Sequence, residues 1–235
     1  GARGDGLRGI NGNVYYARYW NGTAITSSEV STLYTNRRTI NYFSNTSQSY
    51  INSIGFVPTF DYDFRVGNKD LINGTAEAKY YQYSSGTSTE ITKENTINGV
   101  SIVGDTPTAA VSGSSSGRDN AGGQYIDLTG DLDTSYQEIT IEVYVNIDST
   151  TGKEVDNAGI FNFGYDDRIE MFKLDTNYGT KDYINMRAYY CDTTTNTIIT
   201  FTSSSLFQNL CDGNTYMHLV YTCNGPTVTV YLNGA

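Results

Sequence analysis

Glu138-Ile139-Thr140-Ile141-Glu142-Val143-Tyr144-Val145-Asn146-Ile147 is the stretch on which the fold turns. Apolar Ile139, Ile141, Val143, Val145 and Ile147 alternate with Glu138, Thr140, Glu142, Tyr144 and Asn146. A period of two marks a strand, because successive strand side chains point to opposite faces. The alternation predicts one face in a core and the other in water. Val228-Thr229-Val230-Tyr231-Leu232 repeats the pattern, and the run from Met217 to Cys223 precedes it across Asn224-Gly225, a pair suited to a tight hairpin. Further strands are expected at 124–128, 159–163, 168–174, 183–191 and 197–202. Short strands so closely spaced predict an all-β chain, a sandwich or a barrel.

Helix signals are confined to one place. Thr26-Ser27-Ser28-Glu29 is a capping box, and Val30, Leu33 and Tyr34 follow at helical spacing, so one short helix is expected near residues 27–35. From Asn36 to Pro58 the chain is polar and aromatic without period and reads as a connector. Residues 105–123, rich in Gly, Ser and Thr, read as a long surface loop.

Composition narrows the function classes. The chain has 235 residues, enough to bury about 70% of its unfolded surface without a metal or disulfide staple. It carries 15 Lys plus Arg against 25 Asp plus Glu, a net charge of −10, which disfavours nucleic acid and anionic membrane as partners. No apolar run approaches the ~18–20 residues of a membrane span. Only 17% of residues are charged, while 24 Gly and 21 Tyr suit turns and half-exposed strands rather than disorder. The first residue is Gly1, as expected of a mature product or a segment of something longer.

Several runs resemble the laminin G-like, concanavalin A-like jelly roll. Gln124-Tyr125-Ile126-Asp127-Leu128 is similar to that family's early strand, and Ile139–Val145 to its next core strand, with Tyr144 where Trp is common. The run from Asp212 to Tyr221 resembles the turn and strand that usually carry a Trp-His pair, here Tyr216 and His218. Val228-Thr229-Val230-Tyr231-Leu232-Asn233-Gly234 resembles the following strand and turn, and Phe60–Phe64 the opening strand. The resemblance implies an antiparallel β-sandwich of jelly-roll type, secreted or surface-associated, without catalytic role or required cofactor.

The order of parts is rotated relative to that family. Its closing strand and Ser-x-Glu-Val helix resemble Arg8–Trp20 and Ser28-Glu29-Val30 at the front of this chain. The expected division is therefore a closing segment at 1–40, a connector at 41–58 and a jelly roll lacking its last strands at 59–235. Residues 1–40 could close a preceding module in an array, donate strands to a neighbouring chain, or close on their own chain as a circular permutant. The first two make Val14, Tyr15, Tyr16, Tyr19 and Trp20, with Val228, Val230 and Leu232, the interface residues. Their partners would be other copies or adjacent modules of the same polypeptide.

Candidate chemistry is sparse. Glu138 and Glu142 resemble the paired carboxylates of jelly-roll glucanases, but Thr140 stands where that pattern has Asp, and a solvated strand face is the expected role. His218 is the single histidine, which excludes a multi-histidine zinc site. Cys191, Cys211 and Cys223 lack metal spacing; Cys191 is expected to bridge to Cys211 or Cys223. The pairs Asp61/Asp63, Asp131/Asp133 and Asp166/Asp167 are candidates for Ca²⁺. Asn21, Asn45 and Asn73 head glycosylation sequons. Arg3-Gly4-Asp5 is an adhesion tripeptide too short to weigh. Tyr15, Tyr16, Tyr19 and Trp20, with Tyr80, Tyr81 and Tyr83, could stack on sugars, although one of each adjacent pair should face the core. The reading is a structural or adhesive block of an extracellular filament; the alternatives are a glycan- or protein-binding module and a degenerate glucanase.

Overall fold

Asn224 and Gly225 turn the chain as read. Strands β12 (Asp212–Asn224) and β13 (Thr227–Leu232) pair antiparallel from Asn224↔Thr227 to Leu219↔Leu232. The computed structural model describes residues 10–38, 56–74, 76–84, 87–103, 123–128, 138–148, 159–163, 171–180, 183–191, 196–201, 210–225 and 227–235. In chain order the other elements are β1 (Gly12–Asn21), α1 (Ser27–Asn36), β2 (Phe60–Asp63), β3 (Lys79–Ser84), β4 (Thr87–Ile91), β5 (Val100–Ile102) and β6 (Gln124–Asp127). They continue with β7 (Glu138–Asp148), β8 (Gly159–Phe163), β9 (Met171–Thr180), β10 (Tyr183–Cys191) and β11 (Asn196–Phe201). All paired strands are antiparallel, so the fold is all-β, with α1 the one helix named among the described residues.

The deciding strand, β7, is central. It pairs with β12 on one side and β1 on the other, giving the order β13-β12-β7-β1-β2, with β5 also against β1. Strand β5 takes Gly12–Val14 and β2 takes Tyr16–Tyr19, so the two share one flank of β1. The order β11-β10-β9-β8 makes a second sheet and β4-β3-β6 a third. Ile139, Ile141, Val143, Val145 and Ile147 pack with Val14, Ala17, Tyr19, Met217 and Leu219 in one core, joined by Tyr80, Ile160 and Phe161 from the other sheets. The Phe161 ring meets Tyr221 edge-on at 5.4 Å.

The opposite face of β7 differs from its expectation. Thr140, Glu142, Tyr144 and Asn146 are buried, not wet. Helix α1 lies on that side: Val30 and Leu33 form a second cluster with Trp20, Ile25 and Val220. The helix forms because Thr26 accepts from the Glu29 amide while Glu29 takes the Thr26 amide, completing the capping box. Its exposed side meets the turn after β13, where Ser31 Oγ donates to the Gly234 carbonyl at 3.2 Å. Hydrogen bonds offset the burial of Thr140 and Glu142: Thr140 Oγ1 donates to the Thr23 carbonyl at 2.8 Å and accepts from the Ile25 amide at 3.0 Å, and Glu142 accepts from Tyr16.

Within this chain β1 lies inside the sheet, between β7 and β2. The reason is complementarity. Val14, Ala17 and Tyr19 fill the core between β7 and β2, and Trp20 enters the cluster under α1. Most of the connector (39–55) and of the loop at 105–123 lies outside the described residues. Strands β3, β4 and β5 were not foreseen, and the strand expected at 168–174 runs over Met171–Thr180.

Two glycines make β1 fit. A Cβ on Gly12 would sit 2.0 Å from the Asn146 carbonyl oxygen, and one on Gly99, at φ +79°, 2.2 Å from that of Val14. Around Gly67 there is nothing within 4 Å. Gly12→Ala and Gly99→Ala are each expected to cost about 1–3 kcal/mol or more, and Gly67→Ala no more than about 0.5 kcal/mol, in urea unfolding. Equal effects of all three would contradict the close packing around β1.

Candidate functional site: the ionic junction on β1

The run Val14-Tyr15-Tyr16-Ala17-Arg18-Tyr19-Trp20 places one charge in an otherwise apolar and aromatic strand. A register shift between Val14 and Tyr16 sets the alternation that follows: Ala17 and Tyr19 join the core, while Trp20 lies under α1. Arg18 stands in register with Asp61 of β2 on one flank and Glu142 of β7 on the other. Its Nε meets Asp61 Oδ1 at 2.8 Å and its Nη1 meets Glu142 Oε2 at 3.2 Å. The guanidinium carbon lies 3.9 Å from the centre of the Tyr16 ring. All three charged side chains are at most 1% exposed.

The junction reaches a fourth strand. Glu142 Oε1 accepts from the Tyr16 hydroxyl at 2.9 Å and lies 2.8 Å from His218 Nε2 on β12. The His218 ring packs 5.7 Å from that of Tyr34 on α1, and its backbone exchanges hydrogen bonds with Asn233. Beside it, Arg65 holds Asp63 through Nη2 to Oδ2 at 2.6 Å. Asp70 takes the Asp61 amide on Oδ1 at 3.0 Å and the Asn73 amide on Oδ2 at 3.0 Å, fixing the loop after β2.

Burial divides the two carboxylates. It pushes the pKa of Asp61 up to about 6, Arg18 opposing while Asp63 and Glu142 add to the rise. Burial also raises Glu142, but Arg18 and the His218 and Tyr16 hydrogen bonds outweigh it and hold Glu142 below the usual carboxylate range. Chemically the arrangement binds strands together. Glu142 has both oxygens engaged and no exposure, whereas Glu138 is exposed at the start of β7. The solvated role expected of both glutamates therefore holds for Glu138 alone.

Other sequence candidates fall elsewhere. Val14, Tyr16, Tyr19 and Trp20 are buried. Tyr15 is half-buried against Tyr216 at 4.0 Å and Tyr144 at 5.2 Å. Val228, Val230 and Leu232 lie on β13, at the far side of the same sheet, with β12 and β7 between them and β1. The expected disulfide is corrected: Cys211 and Cys223 are buried thiols, each pushed up to about 12, mainly by burial. Cys223 Sγ donates to the Gly225 carbonyl, which its place in the hairpin core allows. Cys191 lies on β10, paired to β9 and β11.

Asp61 and Asp63 are held by arginines rather than presented to Ca²⁺, and Asp131, Asp133, Asp166 and Asp167 lie outside the described residues. Asn45 and Arg3-Gly4-Asp5 also lie outside them. Asn73 Nδ2 donates to Asp70 Oδ2 at 2.8 Å and to the Thr59 carbonyl at 3.2 Å, so a glycan there would displace one of these bonds. Asn21 ends β1, its amide donating to Thr59 Oγ1 at 3.0 Å. Comparison with protein-family models, curated proteins and solved structures gave no match.

The split between Asp61 and Glu142 has a pH signature. A carboxyl whose folded pKa is raised contributes stability present below its ordinary value of 3.8 and lost as pH rises through about 6. Glu142, with its pKa lowered, acts oppositely and loses its contribution in more acidic solution. Between pH 4 and 6 the Asp61 contribution is expected to fall with rising pH, and Asp61→Asn to remove that component of the slope, whatever its overall cost. Urea midpoints measured across the interval check this; parallel slopes in the two proteins would contradict it.

Proposed function

We propose that this chain is a structural, non-catalytic building block of an extracellular assembly, a jelly-roll module of laminin G-like type whose sheet is completed by an exchangeable strand. The observation that carries the reading is the position of β1. All its ladder partners are remote in sequence, on β2, β5 and β7. Helix α1 follows it directly, and residues 39–55 join the pair to the rest of the chain. A strand–helix unit with only distant partners makes the same contacts whether the receiving sheet belongs to its own chain or to another copy. Exchange of such a unit is a low-cost route from monomers to dimers, and head-to-tail exchange that does not close propagates into filaments.

The ionic junction supports the same reading, because it makes the receiving slot selective. A strand inserted between β7 and β2 must bring a cation to Asp61 and Glu142, as Arg18 does. Strand β13 supplies a second route to association: among the described strands it pairs only with β12, leaving a sheet edge. The net charge of −10 keeps such an assembly soluble.

The test uses Asn13 and Asn146, register partners whose side chains approach to 3.4 Å. In full chains whose native cysteines are replaced by Ala, Asn13→Cys is placed in one copy and Asn146→Cys in another. After mixing and mild oxidation, an Asn13–Asn146 interchain disulfide is expected, together with higher species by light scattering. No interchain product, while the double variant closes within one chain, would refute exchange.

A further inference from the structure

The three-stranded sheet carries a surface that the assembly reading does not use. On β3 the alternation puts Tyr80 inward, buried against Phe64, and leaves Lys79, Tyr81 and Tyr83 on the outer side. Tyr81 stands in register with Tyr125 of β6 on one flank and Glu90 of β4 on the other; Lys79 is opposite Asp127, and Tyr83 is opposite Ser88. The Tyr81 and Tyr125 rings stack with centroids 5.1 Å apart and planes 15° from parallel. All three outer tyrosines stay partly exposed, and Asp127 and Ser88 are exposed. The Lys79 and Glu90 side chains, 46% and 57% exposed, are joined by a 3.3 Å ion pair.

The geometry points to a binding site for a neutral, unbranched oligosaccharide with equatorial β-1,4 linkages, one pyranose ring of which stacks on the outward face of the Tyr81–Tyr125 pair. The argument is one of matched amphiphiles. Such a chain is a ribbon whose pyranose rings present flat C–H faces and hydroxyl edges. Aromatic rings take the faces, because a sugar ring can extend a π-stack already formed and held by two strands. Carboxylate, ammonium and hydroxyl groups take the edges, and here Glu90, Asp127, Lys79 and Ser88 border the tyrosine pair in fixed register. Preassembly lowers the ordering cost of binding, since neither ring must be recruited from solution. Charge sets the selectivity. Two exposed carboxylates against one lysine, on a chain of net charge −10, disfavour an acidic polysaccharide.

The Tyr81–Tyr125 pair also adds about 0.2–1 kcal/mol to the sheet as a cross-strand contact, so the test must separate binding from stability. The full chain is titrated with cellohexaose, mannohexaose and N-acetyl-chitohexaose by calorimetry, with polygalacturonate as the acidic comparator. At least one neutral hexamer is expected to bind while polygalacturonate does not. Tyr81→Phe and Tyr125→Phe, which keep the rings, are expected to change affinity by less than about threefold. Tyr81→Ala is expected to weaken it at least tenfold, with the melting temperature recorded for each variant to confirm a folded chain. No heat with any neutral hexamer, preference for the acidic polymer, or unchanged affinity in folded Tyr81→Ala and Tyr125→Ala would overturn the assignment. None of these outcomes bears on strand exchange, which is read by the interchain disulfide.

Discussion

A single buried guanidinium between two carboxylates constrains the whole sheet. Arg18 on β1 touches Asp61 on β2 and Glu142 on β7, and Glu142 carries the linkage to His218 on β12. Four strands drawn from distant parts of the chain meet in this one cluster. Its value lies less in net stability, since a buried ion pair often gains little over a well-packed apolar one, than in what it forbids. Slipping β1 by one residue would turn Arg18 into the apolar core beside Ile141 and Val143, with two carboxylates left uncompensated. Removing one partner of such a buried pair costs about 3–5 kcal/mol. The junction therefore sets register where side-chain packing alone would set it loosely.

Around that junction the central sheet is buried on both faces. One face carries the main core, in which Ile139 to Ile147 of β7 meet β1 and β12 and the aromatic residues of the other sheets. The other is divided between the apolar cluster under α1 and the ionic cluster beside it. The helix is anchored at both ends, by its capping box and by the Gly234 turn, where a Cβ would lie 2.9 Å from the Tyr34 side chain. A strand–helix unit so bound has its local structure written in its own sequence and its binding energy written elsewhere. That separation is what makes exchange between copies physically reasonable.

Much of this was legible in the sequence. The alternation from Ile139 to Ile147, the turn at Asn224-Gly225 and the capping box at Thr26–Glu29 each rest on local chemistry, and each element forms where local chemistry puts it. What local pattern could not convey was which strands become neighbours. The polar face of β7 reads as solvated because Glu142 and Asn146 are polar; only the helix and the arginine, brought from more than a hundred residues away, make it interior. A signal was nevertheless present: Arg18 is a lone charge among Tyr15, Tyr16, Ala17, Tyr19 and Trp20, and a charge in such company implies a buried counter-ion. Asp61, alternating with Phe60 and Tyr62, was its complement. The short strands β3 to β5 were missed because their outer faces are polar and their apolar positions few, and the disulfide because cysteine spacing says nothing of which side chains enter a core.

Strand β1 is an interior strand, flanked along its length by β7 and, on the other side, by β2 and β5. Amide hydrogen exchange of the full chain, read residue by residue, tests that most directly. With β1 held on both sides, the amides of Ala17, Arg18 and Tyr19 exchange as slowly as those of Ile141 and Val143 in β7. If they exchange orders of magnitude faster, as those of a frayed or edge strand do, β1 is not held between two neighbours and the ionic junction does not organise this fold.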